Sequence, residues 1–161
     1  MSDYDRIDKV ILDALQENAR TSYKELAALT GVAPSTCLER VRGLRARGVI
    51  AGFRAEVNLA RLGRKLEALI SIRFRMHDRE LVDTFVEYLL SLPETVSLFN
   101  VTGDDDYLLH VAVVDAEHLH AFVLDRLGVR SEVERVRTSI VYQHLRKHPI
   151  APVDDGRADS S

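Results

Sequence analysis

The chain of 161 residues has a single cysteine, no long apolar run and no signal-like N-terminus. Cys37 alone cannot form an internal disulfide, and no cysteine and histidine spacing of the zinc-site type is present. No segment approaches the roughly 18 consecutive apolar residues that a membrane-spanning helix needs. Residues 1–5 lack the basic start and apolar core of a signal peptide. We therefore expect a cytoplasmic protein with no disulfide and no membrane anchor.

The sequence also has little net charge, −3 at pH 7, which argues against a protein that coats nucleic acid without regard to sequence. The total hides an asymmetry: residues 1–60 carry nine Lys and Arg against eight Asp and Glu, whereas residues 61–161 carry thirteen against seventeen. No acidic residue lies between Glu39 and Glu56. That stretch holds the one concentrated group of basic residues, namely Arg40, Arg42, Arg45, Arg47 and Arg54.

The first 31 residues are predicted to form two helices. Apolar residues at helical spacing indicate the first helix over about residues 5–16. A capping-box pattern follows, in which the Ser22 hydroxyl and the Glu25 carboxylate each accept a backbone N–H at the start of the second helix. Gly31 lies where a helix end favours positive φ, so the chain can turn there without Cβ strain.

Pro34 suits the first turn of a third helix, because the missing N–H would have been unpaired there anyway. This helix is predicted to run to about Arg47, with an inner face of Cys37, Val41 and Leu44. The sequence of residues 50–57 indicates a strand or ribbon. Residues 59–63 are predicted to connect the two domains. Together these elements predict a three-helix, winged-helix-like helix-turn-helix domain over residues 1–63.

The second half changes its hydrophobic period and predicts the order β-α-β-β-α-β. The predicted elements are strand 66–74, helix 78–92, strand 96–102, strand 107–114, helix 116–127 and strand 133–142. This order is that of a ferredoxin-like domain over residues 64–148, so the fold class is α+β. Apolar residues along 66–74 and 108–114 exceed what two helices can bury, which predicts sheet-to-sheet dimerisation. Residues 152–161 are polar and aperiodic, and a disordered tail is expected over residues 149–161.

The outer side of the third helix has the composition of a DNA-reading surface, because such a helix fits the major groove while basic residues around it bind phosphates. The candidates for base contacts are Ser35, Thr36, Glu39 and Arg42. The candidates for phosphate contacts are Lys24, Arg40, Arg45, Arg47 and Arg54. The alternative from the pattern alone is a helical hairpin with a solvated charged face.

Catalysis and metal binding have less support in the sequence. There is no arrangement of nucleophile, base and orienting group, so we predict no catalytic residues, although ferredoxin-like sheets also carry enzyme sites. His144 and His148 are four residues apart, but they follow a strand and have no evident third ligand, so no metal site is predicted. Cys37 fits a small core residue better than a redox sensor.

The ordered motifs of residues 3–148 resemble the Lrp/AsnC family, also called feast/famine regulatory proteins. In the first half the matching segments are 7–12, 18–20, 26–27, 31–32, 34–36, 40–42, 44, 48–50 and 52–53. In the second half they are 92–94, 101–103, 106–107 and 127–129. Two positions depart from the family pattern: Ala33 stands where serine is usual, and Glu39 where a basic or small polar residue is frequent.

The resemblance implies a transcriptional regulator whose homodimers, often assembled into octamers of four dimers, bind double-stranded promoter DNA. It also implies an amino acid or related small effector bound between dimers, and no other cofactor. The implied effector site lies near residues 100–107, and its candidate residues are Thr102, Gly103, Asp104, Asp106, Thr138 and Ser139. On sequence alone, an Asp-rich hairpin turn without a ligand remains the alternative. A ligand-sensing oligomer with vestigial DNA binding is the alternative function.

Overall fold

The computed structural model describes residues 4–75 and 79–153, which fold as two compact units. Among them, residues 4–56 and 145–153 form the first unit and residues 57–144 the second. The sequence placed the domain boundary after residue 63 and the end of the second domain at residue 148. In the structure, residues 57–63 belong to the second unit and residues 145–148 to the first. In these described ranges, no helix combines the length and apolar character needed to cross a membrane.

The first unit contains the three predicted helices: α1 is Arg6–Glu17, α2 is Tyr23–Thr30 and α3 is Pro34–Ala46. Their buried core residues are Ile11, Leu12, Leu26, Cys37, Val41 and Leu44. The predicted capping box forms at Ser22 and Glu25, and Gly31 adopts a left-handed φ of 77° after α2. These local signals were therefore enough to place the helices.

One prediction about the rest of the first unit was wrong, and a second does not hold at one residue. Residues 50–57 belong to none of the described strands. A segment forms a strand only when a neighbouring strand supplies hydrogen-bonding partners, and none of the described strands does so here. Ile150 falls in the segment expected to be disordered, yet its backbone exchanges two hydrogen bonds with the Gln16 side chain. Residues 154–161 of that segment lie outside the described residues.

The second unit is an antiparallel four-stranded sheet with two helices in its chain connections, as predicted. The elements are β1 (Leu66–Phe74), α4 (Arg79–Ser91), β2 (Thr95–Asn100), β3 (Tyr107–Val113), α5 (Ala116–Phe122) and β4 (Val133–Val141). The strand order β2-β3-β1-β4 is that of a ferredoxin-like fold. A 3₁₀ helix at Leu59–Leu62 precedes the sheet, and a π-helical segment, Val123–Gly128, extends α5.

The two faces of this sheet differ because strand side chains alternate. One face contributes the buried residues of β1 to a core shared with Phe85, Leu89 and Phe122 of the helices. The opposite face, called the open face below, carries half-buried side chains. On the open face, Leu69 of β1 lies between His110 of β3 and Ser139 of β4. The loop that follows β2 and the segment that follows β4 both contribute groups to this face.

Candidate functional site

Helix α3 presents one polar face, because its three apolar residues recur at i, i+4 and i+7 and are all buried. The candidates on the other side, Ser35, Thr36, Glu39, Arg42 and Arg45, are exposed. Lys24 on α2 and Arg54 in the irregular segment after α3 are exposed as well. The first unit therefore displays a polar and largely basic surface built around one helix.

Two of the arginines predicted to contact phosphates pair with acids at the start of α1. Arg40 pairs with Asp5 and, at 3.2 Å, with Asp8. The guanidinium of Arg47 lies 3.7 Å from the Asp8 carboxylate and over the Tyr4 ring, 5.5 Å from its centre. The side chain of Asp8 is only 7% exposed, and a carboxylate so far removed from water requires such partners.

The same cluster shifts two pKa values. The Asp8 backbone N–H, and next the Arg40 guanidinium, donate to Asp5 and hold the pKa of its carboxyl below the usual range. Hydrogen bonds to Asp5 and Asp8 raise the pKa of Arg40 in turn. Arg40 therefore joins α3 to the start of α1, a role that sequence reasoning missed. The spacing of Asp5 and Asp8, one helical turn apart, was the available signal.

Glu39 and Arg42 contact each other on the exposed face of α3. Their side chains are 2.9 Å apart, in an i, i+3 pair that is about two-thirds exposed on both sides. An ion pair so open to water contributes little to stability, typically 0–1 kcal/mol. Both side chains are therefore available for a binding partner at small energetic cost.

The β2–β3 connection, which holds most of the predicted effector residues, is fixed by hydrogen bonds to β1. The Asp106 backbone N–H donates to the Ile72 carbonyl at 2.9 Å, and the Asp106 carboxylate accepts the Phe74 N–H at 2.8 Å. The Arg73 guanidinium donates to the Asp104 carbonyl oxygen. Asp106 is therefore part of the scaffold of this loop, whereas Thr102, Gly103 and Asp104 are exposed.

Asp105, which was not among the predicted effector residues, binds two arginines of β4. Its carboxylate accepts from Arg137 and, at 3.3 Å, from Arg135. The pair with Arg137, and then that with Arg135, hold the pKa of the Asp105 carboxyl below its usual value. The arginines were the missed signal: two positions apart on a strand, they lie on the same face. We call Asp105, Arg135 and Arg137 the loop clasp.

The remaining two effector candidates diverge. Thr138 pairs with Ile70 of β1, whereas Ser139 pairs with Leu69, so their side chains point to opposite faces of the sheet. Ser139 lies on the same face as Arg137 and the loop clasp. The structure thus brings only one of the two onto the face where the loop is held.

Three polar side chains on and beside the open face lie close enough together to be candidate metal ligands, which the sequence did not predict. His144 was expected to lack a third metal ligand, but the structure places it with Glu67 and His110, not with His148. The three residues come from segments far apart in the sequence, so spacing alone gave no signal. Their geometry is described below.

Models of known protein families match the sequence of each unit. A family model for the AsnC-type helix-turn-helix domain matches residues 5–45, and one for the Lrp/AsnC ligand binding domain matches residues 67–150. The transcriptional regulator AldR of Mycolicibacterium smegmatis is 39% identical over 144 residues, which cover 89% of this chain and 84% of the relative. The regulator FL11 of Pyrococcus furiosus is 35% identical and covers 92% of this chain and 96% of its own length.

Solved structures match over nearly the whole chain. A transcriptional regulator of Neisseria meningitidis, solved as a complex with L-Met, has a TM-score of 0.84 and 29% identity, covering 95% of this chain and 98% of its own. AsnC of E. coli has a TM-score of 0.81 and 30% identity, with 92% and 99% covered. The chain therefore belongs to the Lrp/AsnC family and is a transcriptional regulator with a ligand-binding domain, not an enzyme.

Proposed function

We propose that the chain binds promoter DNA of defined sequence through α3 and responds to an amino acid or a related small effector, thereby controlling genes of amino-acid metabolism or transport. The observation that carries the DNA part is the exposed polar face of α3, backed by a fully buried apolar face. L-Met in the neisserial neighbour supports the class of effector. Such a regulator acts in the cytoplasm, where promoters and free amino acids are both present.

The proposed DNA contacts divide by their position around α3. Ser35, Thr36, Glu39 and Arg42 face the major groove, where Arg can bind guanine through two hydrogen bonds and Glu can accept from cytosine. Lys24, Arg45 and Arg54 contact phosphates. We assign Arg40 and Arg47 to the support of this surface, because Asp5 and Asp8 already bind them.

Two substitutions test this division. Arg42→Ala should relax the preference at one base pair by about 1–3 kcal/mol while leaving non-specific binding nearly intact. Arg45→Ala should weaken binding to all sequences and, since each dimer carries two copies, reduce the slope of log K against log salt by roughly 1.8. Arg126→Ala removes the same charge from an exposed position in the second unit and serves as the control.

The assay uses a fragment selected from random duplex DNA by the wild-type protein, measured by fluorescence anisotropy at several salt concentrations. Equal slopes for Arg45→Ala and Arg126→Ala would contradict the phosphate assignment. Uniform loss across sequences for Arg42→Ala would contradict the base-reading assignment. If no fragment is selected and binding does not depend on salt, the DNA-binding surface is vestigial and the chain is a ligand-sensing oligomer.

We further propose that the effector binds at the β2–β3 connection. A free amino acid needs an acceptor for its ammonium group and backbone N–H donors for its carboxylate. Exposed Asp104 is the proposed acceptor for the ammonium group. The turn at Thr102 and Gly103 supplies the backbone N–H donors for the carboxylate, and Gly103 has a φ of 121° there. Ser139 is the candidate on β4 that shares the face of the loop clasp, and Thr138 has the weaker case.

Thermal-shift screening of the protein amino acids, one at a time, tests this site. A ligand that binds only the folded state stabilises it by about 2.7 kcal/mol at one hundred times its dissociation constant. Asp104→Asn should abolish the shift and leave DNA affinity without effector unchanged, whereas Glu87→Gln, an exposed acid on α4, should alter neither. A full shift in Asp104→Asn would remove Asp104 from the site. Asp106→Ala is less informative, because Asp106 also holds the loop to β1.

We also propose that two copies associate through the open face and that four dimers form an octamer. The support for the dimer is the apolar character of the open face, which carries the half-buried Leu69 and Leu108 and, on β2, Phe99 with 51% of its surface exposed. Sedimentation equilibrium measures the assembly directly. A monomer at micromolar concentration would contradict the proposal.

A further inference from the structure

Three distant segments of the second unit bring two imidazoles and a carboxylate together. Glu67 of β1 pairs with Ala112 of β3, so it lies diagonally opposite His110 on the open face. The Glu67 Oε2 and His110 Nε2 atoms are 2.8 Å apart. His144, three residues after the end of β4, meets His110 edge to face, with ring centres 5.6 Å apart. One ligand atom from each residue lies within 4.8 Å of the other two.

We propose that Glu67, His110 and His144 bind a divalent transition-metal ion such as Zn²⁺. Two histidines and one carboxylate are a ligand set found at zinc sites and at non-haem iron sites. Zinc bonds to nitrogen and oxygen are about 2.0–2.2 Å long, so tetrahedral ligand atoms lie roughly 3.4 Å apart. The Glu67–His110 pair, at 2.8 Å, is somewhat closer than that value, and all three ligand atoms lie within 4.8 Å of one another.

Burial divides the roles of the three ligands. The side chain of His110 is 6% exposed and that of Glu67 27%, so two ligands are held by neighbouring strands. His144 is exposed and lies outside the helices and strands, so its backbone is not held in a sheet ladder as those of the other two ligands are. Three protein ligands leave a fourth position for water or another donor. The bound ion would tie the segment after β4 to β1 and β3.

The alternative is a plain hydrogen-bonded pair of Glu67 and His110 that His144 merely covers. That pair alone needs no third ligand, so His144 distinguishes the two interpretations. The control is His120, an exposed histidine on α5. Glu67→Gln is the second test variant, because it keeps a hydrogen-bond partner for His110 while removing the ligating charge.

The experiment measures Zn²⁺ binding to the full, tag-free chain after chelator treatment, by competition with a chromophoric chelator. The expected result is one ion per chain and a rise in melting temperature on adding Zn²⁺. His144→Ala and Glu67→Gln should each weaken binding by at least about tenfold, a loss that even supporting residues of metal sites produce, while His120→Ala leaves it unchanged. Co²⁺ in place of Zn²⁺ should give an absorption spectrum that His144→Ala abolishes.

Either of two outcomes would overturn the proposal. One is the absence of stoichiometric Zn²⁺ binding by the wild-type chain at micromolar concentration. The other is equal affinity in His144→Ala and His120→Ala, which would place any bound ion elsewhere. Circular dichroism of each variant confirms folding, and His110→Ala is not used because His110 is almost fully buried.

Discussion

The start of α3 lacks a cap that the start of α2 possesses, and adding one should stabilise the first unit. Ser22 and Ala33 occupy the same helix position with nearly the same backbone angles, φ −74° and ψ 156° against φ −64° and ψ 150°. The Ser22 hydroxyl accepts the N–H of Glu25, three residues later. Ala33 offers no such acceptor, so Ala33→Ser should supply one to the N–H of Thr36.

The magnitude follows from this comparison. A serine cap in place of alanine contributes about 1 kcal/mol, and Ala33 is exposed, so the hydroxyl incurs no burial cost. Residue 36 is Thr and not Glu, so the reciprocal half of a capping box is absent and the gain should not exceed that of Ser22. For a unit of this size, 1 kcal/mol corresponds to a midpoint shift of roughly 4–8 °C.

Native-state hydrogen exchange read by mass spectrometry on peptides from α3 isolates the first unit from the second. Ala33→Ser should increase the protection of α3, and Ser22→Ala should reduce that of α2 by a similar free energy. Ala33→Val adds a side chain without an acceptor and is the matched control. Unchanged protection in Ala33→Ser, with a clear loss in Ser22→Ala, would refute the reasoning from the missing cap.

Two further predictions concern the second unit. The Arg130 guanidinium lies 4.3 Å from the centre of the Tyr88 ring and 5.3 Å from that of Phe85, so Arg130→Met should lower the free energy of unfolding by about 0.5–2 kcal/mol in urea titrations. Asp105→Asn should destabilise the fold at neutral pH, because arginines lower the pKa of that carboxyl. The difference from wild type should shrink as pH falls below the ordinary value of 3.8 and vanish below the folded-state pKa.

Local signals predicted most of the fold. Strand β1 was placed at residues 66–74 without error, since its alternation and β-branched content point the same way. The capping box and Gly31 placed α2 equally well. Residues 50–57 have a strand-like composition, but a strand depends on a neighbour and composition does not report one. The change from α- to π-helical geometry at Val123 likewise had no signal in the apolar period.

The candidate site was predictable only where one element determines it. The spacing of the apolar residues in α3 predicts which side of the helix is exposed, and in the structure the apolar residues are buried and the opposite side is exposed. Pairings between distant segments were not predictable: Arg40 with Asp8 spans 32 residues, and His110 with Glu67 spans 43. In a helical pattern, a basic residue on the polar face is predicted to face solvent, whether or not a distant acidic residue pairs with it in the fold. Polar roles set by tertiary contacts therefore need coordinates.

The pairing of Arg40 and Arg47 with α1 changes a measurable property of DNA binding. If all five predicted phosphate contacts formed in each protomer, a dimer would neutralise about ten phosphates, and log K would fall with log salt at a slope of roughly −9. If Arg40 and Arg47 stay bound to Asp5 and Asp8, about six remain and the slope is roughly −5. A measured slope near −9 would require those ion pairs to open on binding and would refute the assignment of both arginines to support α3.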